Sequence, residues 1–426
     1  MKKTILLILF LAQFCNRIDA QDFWKTLPFP DSIDVACLAV NSQGDIFVGS
    51  AQQYVTNGIF RSTDSGQTWT MVLNTANFQI YSIAINEFGH IYASIGGFDL
   101  FRASYDNGNS WNNINLPING GISKIYCINQ DTLMLGSGLN DGAILLRSPD
   151  RGITWDTLFM TENHTSEFVS DIAISGNGDI YISLMCYFPE MGGVYKSTDN
   201  GNSWEFVGLL SHQVMDVEIN SFGDVFIGVF CDFDIGGGGI YALYHDSLEI
   251  HECLFGPFIN GLVVNSANDI YAGSGMPDGI IQSLDIGLTF EFQNSGLPPG
   301  PKGKLFKDSK DYIYALPDAP SNRIYRTVEP TFTSIYDIFR KNSNAQIEIC
   351  PNPVHEILQG FLPLAKISND EHFITLIEPS GKILIHKLID LKENSFQINV
   401  NFLKPGLYFL IIDDGYSSYY AKIVKI

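Results

Sequence analysis

Short apolar runs alternate with polar turn residues along most of the chain, and the runs come in sets of four. In the first set they cover residues 35–40, 45–50, 58–62 and 68–73. Val35, Leu38, Val40, Ile46, Phe47, Ile59 and Phe60 place β-branched, apolar and aromatic residues at strand spacing. Clusters of Gly, Asn, Asp and Ser separate the runs, and no stretch sustains a helical period. The set then recurs. The segment Asn41-x-x-Gly44-Asp45-Ile46-Phe47-x-Gly49 has counterparts beginning at Asn86, Asn129, Ser175, Asn220, Asn265 and Asp308. The apolar residues opening the following strands are Ile46, Ile91, Leu133, Ile180, Val225, Ile270 and Ile313, at gaps of 45, 42, 47, 45, 45 and 43 residues. Seven units at a period near 45 predict a propeller or a solenoid. Four antiparallel strands per unit favour the propeller, whose radial repetition leaves only short edges.

A second repeated element lies between the third and fourth run of a unit. It reads Ser62-x-Asp64-x-Gly66-x-x-Trp69, then Ser104-x-Asp106-x-Gly108-x-x-Trp111, Ser148-x-Asp150-x-Gly152-x-x-Trp155 and Ser197-x-Asp199-x-Gly201-x-x-Trp204. A worn copy, Ser283-x-Asp285-x-Gly287-x-x-Phe290, replaces Trp with Phe. Its chemistry suits a tight hairpin. Ser and Asp side chains bond nearby backbone amides, and Gly takes a positive φ. The Trp then anchors the outer strand. The element resembles the Asp-box, or bacterial neuraminidase repeat, of sialidases, sortilin-type receptors, some glucanases and photosystem-assembly propellers. Four full matches in register are specific for the repeat and for no single activity.

All five tryptophans fall at one repeat position, because Trp24 sits in a segment like the outer strand after Trp111. The seventh unit has three runs and no clear fourth. Residues 21–30 are therefore expected to supply the outer strand of the last blade and close the ring. This gives an all-β chain. A signal peptide spans 1–20, a seven-bladed propeller 21–335, a linker 336–345 and a small Ig-like β-sandwich 346–426.

The last block carries Cys350-Pro351-Asn352-Pro353, Gly381-Lys382, Gly406-x-Tyr408, and a basic-apolar end with Lys422 and Lys425. It resembles the type A C-terminal sorting domain of type IX secretion in the Bacteroidota. Cys350 stands where that family usually has Tyr. The resemblance implies passage through the periplasm and the type IX machinery as a partner. It also implies removal of the domain, with the cargo released or attached at the outer-membrane surface. The start agrees: Lys2 and Lys3, an apolar run from Thr4 to Phe14, and Ile18-Asp19-Ala20 before Gln21 form a secretory signal. No later apolar run has the length of a membrane helix.

Charge narrows the partners. The chain carries a formal net charge of -21, and residues 21–341 hold 36 acidic residues against 15 basic ones. Such a domain disfavours nucleic acid and anionic lipid. Six cysteines beyond the signal are too sparse for a disulfide scaffold, although Cys186 and Cys231 sit at equivalent steps of neighbouring units and are candidates for one bridge. No Cys-x-x-Cys, His-x-x-x-His or nucleophile-elbow spacing occurs, so no metal or cofactor is expected. A monomer is the expected state.

Successive strands run up and down, so the box turns share one face and the variable loops occupy the other. Variable loops on a rigid scaffold usually carry binding. The expected ligand site is thus the loop face, with Asp99, Asp141, Glu190, Asp232, Asp234 and Asp278, alongside Asp318, Tyr187, Phe188 and Phe233. An acidic ring there suits sugar hydroxyls, a cation or a basic protein; the plainer reading is a solvated rim that keeps the protein soluble. The expected function is a non-catalytic glycan- or protein-binding module. The alternative is a glycoside hydrolase or lyase using two of these carboxyls. Sialidase activity is disfavoured. Arg61, Arg102 and Arg147 share one slot before the box, which marks them as scaffold rather than a substrate clamp. The glycine-rich stretch after Asp234 lacks the Lys of a phosphate loop and reads as a strand connection.

Overall fold

The structure is a computed structural model. It describes residues 22–425 except 31–32, 52–56, 97–99, 119, 139–141, 162–166, 190, 234–235, 245–249, 276–277, 285–286, 288, 301, 318–320, 332–347, 351–353, 362–371, 378–382, 390–394, 405 and 414–417. The described residues are all strand, turn and connection. They fall into two compact units: residues 1–263 with 270–329, and residues 330–426 with the turn 264–269.

Seven four-stranded antiparallel sheets make the propeller, in agreement with the sevenfold period. Their innermost strands are Val35–Val40, Ile80–Ile85, Ile122–Cys127, Glu167–Ile174, His212–Ile219, Ile259–Val264 and Lys302–Lys307. Six sheets are built from consecutive strands. The seventh takes its outer strand from the start of the chain: Trp24–Leu27 pairs antiparallel with Ile324–Thr327. Trp24 is 1% exposed, and its indole N–H donates to Gln293 O on the preceding blade at 2.7 Å. The box tryptophans do likewise. Trp69 donates to Pro28 O (2.6 Å), Trp111 to Val72 O (3.1 Å) and Trp204 to Leu158 O (2.8 Å). In five of the seven blades an indole thus joins the outer strand to the preceding blade.

The two repeated motifs are turn devices. In the first, the Asn41 side-chain oxygen accepts the N–H groups of Gln43 (3.0 Å) and Asp45 (2.8 Å), while Gly44 takes φ 97°. Asn86, Asn220, Asn265 and Asp308 repeat the bond to the residue four on. The glycine that ends this motif has a packing role. A Cβ on Gly49 would lie 2.6 Å from Ile80 of the next inner strand, so only glycine lets the blades approach. In the second motif, buried Ser62 Oγ donates to Asp64 (2.7 Å) and accepts the Gly66 N–H (2.8 Å). Asp64 accepts the Thr68 N–H (2.9 Å) and hydroxyl (2.6 Å). The boxes at Ser104, Ser148 and Ser197 share this pattern. The worn box keeps the Gly287 N–H to Ser283 bond, while Asp285 lies outside the described residues.

The second unit is a small β-sandwich. One sheet contains Glu348–Cys350, Ile357–Phe361 and Ser395–Asn399; the other contains Ile383–Ile389, His372–Ile377, Gly406–Asp413 and Ser418–Lys425. Leu358, Phe396 and Ile398 of the first sheet pack with Ile374, Leu376, Leu410, Ile412 and Ile423 of the second. Tyr408 is buried and its hydroxyl donates to Lys404 O at 2.9 Å. Gly406 pairs with Lys425 and Phe409 with Lys422 across the last hairpin. Pro351, Asn352, Pro353, Gly381 and Lys382 lie outside the described residues.

Candidate functional site

The site is built by a repeated irregularity. A β-bulge interrupts inner strands between Val35 and Cys37, Ile80 and Ser82, Ile122 and Lys124, Val169 and Asp171, and Val214 and Asp216. A bulge adds a residue and re-aims the next side chain. Cys37, Ser82, Lys124, Asp171 and Asp216 therefore occupy one step of successive blades, with Gly261 and Lys304 at the same step by the repeat. All of these except Gly261 line a cavity of about 710 Å³ enclosed by the inner strands. The cavity is bordered mainly by the first halves of those strands and reaches Glu218 and Phe306 further along, together with Gly138 and Tyr187, which lie just past second strands. The box turns lie at the opposite ends: Ser62 and Val40 both pair with Ile46. The cavity is thus on the loop side.

Its wall is charged on one side. Lys124 Nζ contacts Asp171 Oδ1 on the next blade. Asp171 also accepts the N–H of Ile172 (2.7 Å) and, across the blade boundary, of Val217 (3.2 Å). Asp216 repeats the device one blade on, accepting the Leu262 N–H at 2.9 Å. These carboxylates stitch blade four to five and five to six. Ser123 and Ser170 do the same from hydroxyls, donating to Val169 O and Val214 O. Glu218, two residues beyond Asp216, faces the same cavity.

Three carboxyls this close cannot all ionise freely. Burial, and then the neighbouring Asp171 carboxylate, push Asp216 well above the usual carboxylate range. The same two causes push Glu218 up to about 7, against the pull of Lys124 and Lys307. Burial opposes the charge on Lys124, but Asp171, Asp216 and Glu218 outweigh it and raise the ammonium above its ordinary value. Burial raises Cys37 to about 12, so its thiol is inert packing. The mouth is aromatic, with Tyr81 and Tyr187 exposed and Phe168 half-buried.

The loop acids read from sequence fare differently. Asp99, Asp141, Glu190, Asp234 and Asp318 lie outside the described residues, and Asp278 is described only as a strand residue. Asp232 is 5% exposed, and its carboxylate lies 3.4 Å from His212 Nε2 within its own blade. Phe188 is exposed beside Tyr187, and Phe233 donates its N–H to Ser211 O. Cys186 and Cys231 are free thiols; Cys186 Sγ donates to His212 O at 3.5 Å. Among the described residues no arginine lines the cavity. Instead Arg61 donates to Asn107 O at 2.5 Å and Arg147 to Asn200 O at 3.1 Å, each bracing the next box.

Lys124, Asp171, Asp216 and Glu218 escaped the reading from sequence. The available signal was a charge inside an otherwise apolar inner run, at one step of the repeat, in blades three, four, five and seven.

Comparison with known proteins gives the class first. Residues 348–426 match the secretion system C-terminal sorting domain family. This type IX sorting domain directs the protein to the cell surface or the extracellular space. No curated protein is similar in sequence to this chain. Solved structures share the propeller. YCF48 bound to a D1 peptide is 16% identical with a TM-score of 0.57, covering 74% of this chain and 98% of that one. YCF48 from Cyanidioschyzon merolae is 11% identical with a TM-score of 0.56, covering 72% and 99%. Virginiamycin B lyase from Staphylococcus aureus is 10% identical with a TM-score of 0.53, covering 72% and 98%. At these identities the likeness concerns the fold.

Proposed function

We propose that this exported propeller is a non-catalytic binding module that takes a glycan or a polypeptide at the loop-side mouth of its channel. One observation carries the reading: an aromatic mouth formed by Tyr81, Phe168 and Tyr187 stands over a polar wall whose aspartates are engaged as structural acceptors. Aromatic rings beside polar groups are the usual make-up of a binding cleft. Carboxylates bonded to neighbouring backbone amides are poor candidates for an acid and base that must exchange protons. A propeller of this fold, YCF48, has been solved with a peptide bound. In this reading the loop acids Asp99, Asp141, Glu190, Asp234 and Asp278 form an outer rim, and the Asp-box residues act only as scaffold.

The test is a glycan and peptide array probed with the full chain, then titration of each hit against Tyr187→Ala. The affinity is expected to fall roughly tenfold or more, the loss of an aromatic hot spot. Unchanged affinity for every hit removes the channel mouth from the function.

A second reading, a glycoside hydrolase or lyase, draws on Glu218. A carboxyl at about 7 inside a cavity is what a general acid requires. Turnover of an array hit that vanishes in Glu218→Gln would replace the binding reading with the catalytic one.

A further inference from the structure

The charged wall of the channel has a composition that selects among ligands. Its lining holds three carboxyls, Asp171, Asp216 and, two residues further along the strand, Glu218, with two ammonium groups, Lys124 and Lys304. Lys124 is paired with Asp171. Lys304, on blade seven, is separated from Asp216 by blade six, whose Gly261 packs against the blade-seven backbone: a Cβ there would lie 2.7 Å from Leu305 N. Lys304 makes no ion pair among the described residues. With every carboxyl ionised, the wall is one positive charge short. The group left over is Glu218, which faces the cavity and makes no hydrogen bond or ion pair among the described residues. A second feature, of opposite polarity, comes from blade six. The side-chain amide nitrogen of Asn260 is buried without an acceptor, and Asn260 lines the same cavity. A buried donor left unbonded is costly, so the site gains from a ligand that brings an acceptor.

We propose that the channel receives one basic side chain, arginine or lysine, of a polypeptide segment: its cation pairs with Glu218 and its backbone carbonyl accepts from Asn260. This rests on the binding reading above and names its ligand. The stem of such a side chain is apolar and suits the aromatic mouth at Tyr81, Phe168 and Tyr187. A guanidinium also gains from aromatic faces on its way in. The acidic propeller favours the approach of a cation. Asp171 and Asp216 remain committed to the backbone of the next blade, so the ligand displaces no structural bond.

Binding then displaces a proton. The charged groups bearing on Glu218 are Asp171 from blade four, Lys124 from blade three and Lys307 from blade seven, with Asp216 on its own strand and Tyr126 across from it. Their balance with burial holds the Glu218 carboxyl to about 7. A cation needs the ionised form, so its affinity falls as the pH drops through that value.

Calorimetric titration of the full chain tests this. The probes are blocked tripeptides with arginine, lysine or citrulline at the centre, and agmatine as a free amine. The arginine and lysine peptides are expected to bind at pH 8 at least about tenfold more tightly than the citrulline peptide, and to lose roughly tenfold or more by pH 5.5. Glu218→Gln should remove both the preference and the pH dependence, and Glu218→Asp should keep the pH dependence in part. A cooperative melting transition no lower than the parent's for each variant excludes misfolding as the cause. Equal affinity for arginine and citrulline peptides overturns the proposal. So does the absence of binding at pH 8, or an unaltered Glu218→Gln. Agmatine binding as tightly as the peptides overturns the polypeptide part, because the Asn260 contact would then contribute nothing. An uncharged array hit that needs Tyr187 and ignores Glu218→Gln sinks this inference and leaves the binding reading standing.

Discussion

At the scale of the residue, two kinds of carboxyl do opposite things. Asp64 and Asp106 sit on exposed turns and accept several hydrogen bonds in the ionised form. The Thr68 and Ser110 hydroxyls, then the same residues' amides, hold them near 2, below the usual carboxylate range. A carboxyl with a lowered folded pKa stabilises above its unfolded value and loses that contribution as pH falls, here from about 4 through about 2. Asp64→Ala should therefore lower the melting temperature at pH 7, with the gap closing towards pH 2, and leave the ligand affinity of the folded fraction alone. Lost affinity in a fully stable variant would contradict the scaffold role. Glu218 has the opposite sign. Its folded value of about 7 exceeds the ordinary 4.5, so the folded protein holds a proton that the unfolded chain has released. Stability from this group is complete below about 4.5 and is lost as pH rises through 7. Glu218→Gln is expected to melt higher than the parent at pH 8 and to match it at pH 4, checked by calorimetric scans at both. A lower melting point at pH 8 would mean that the ionised carboxylate is a net stabiliser.

At the scale of the element, the closing strand is the sensitive point. Six blades are hairpin-connected, but the seventh joins Trp24–Leu27 to Ile324–Thr327 from the far end of the domain. Trp24 packs with Val263, Tyr271, Leu305 and Tyr325, and Leu27 packs with Tyr314 and Ile324. Replacing a fully buried tryptophan by alanine typically costs about 3–5 kcal/mol. Trp24→Ala should show a loss of that size in urea unfolding, and more than the same change at partly buried Trp155, whose indole bonds Asn115 O at 3.2 Å. Equal losses would remove the special role of the closure.

At the scale of the whole molecule, the export signal and the proposed binding site fall in separate units. The sorting domain of residues 348–426 has its own core of Leu358, Ile374, Leu376, Leu410 and Ile412. The propeller's cores contain none of these residues. Removing 348–426 is expected to hold the protein in the periplasm of a type IX secreting host while leaving the propeller's melting transition in place. Fractionation and calorimetry of the truncated chain check the two halves of that statement. Efficient export of the truncated chain would show that another segment carries the signal.

Much of this protein is legible along the chain because its determinants are local and repeated. Strand alternation, the Asn and Asp turns and the Ser62-to-Trp69 hairpin are settled within about ten residues, and each recurs about every 45. Repetition also argues against catalysis at the Ser62-to-Trp69 turn, since a serine and an acid that recur in four blades suit a role the blades share. The channel is different. Its wall takes residues from the inner strand of every blade, so Lys124, Asp171 and Asp216 are neighbours only once the blades pack side by side. The equivalent positions elsewhere, Cys37, Ser82 and Gly261, have unrelated chemistry, which hides the step from any search for repeats. The bulges that aim these residues inward depend on strand pairing, which a single run of sequence does not encode. The turns, the blades and the sorting domain were determined by the sequence alone. The charge of the channel, and Glu218 as its unpaired member, were decided by the tertiary structure, because burial and the proximity of like charges arise only when distant strands share one enclosed space.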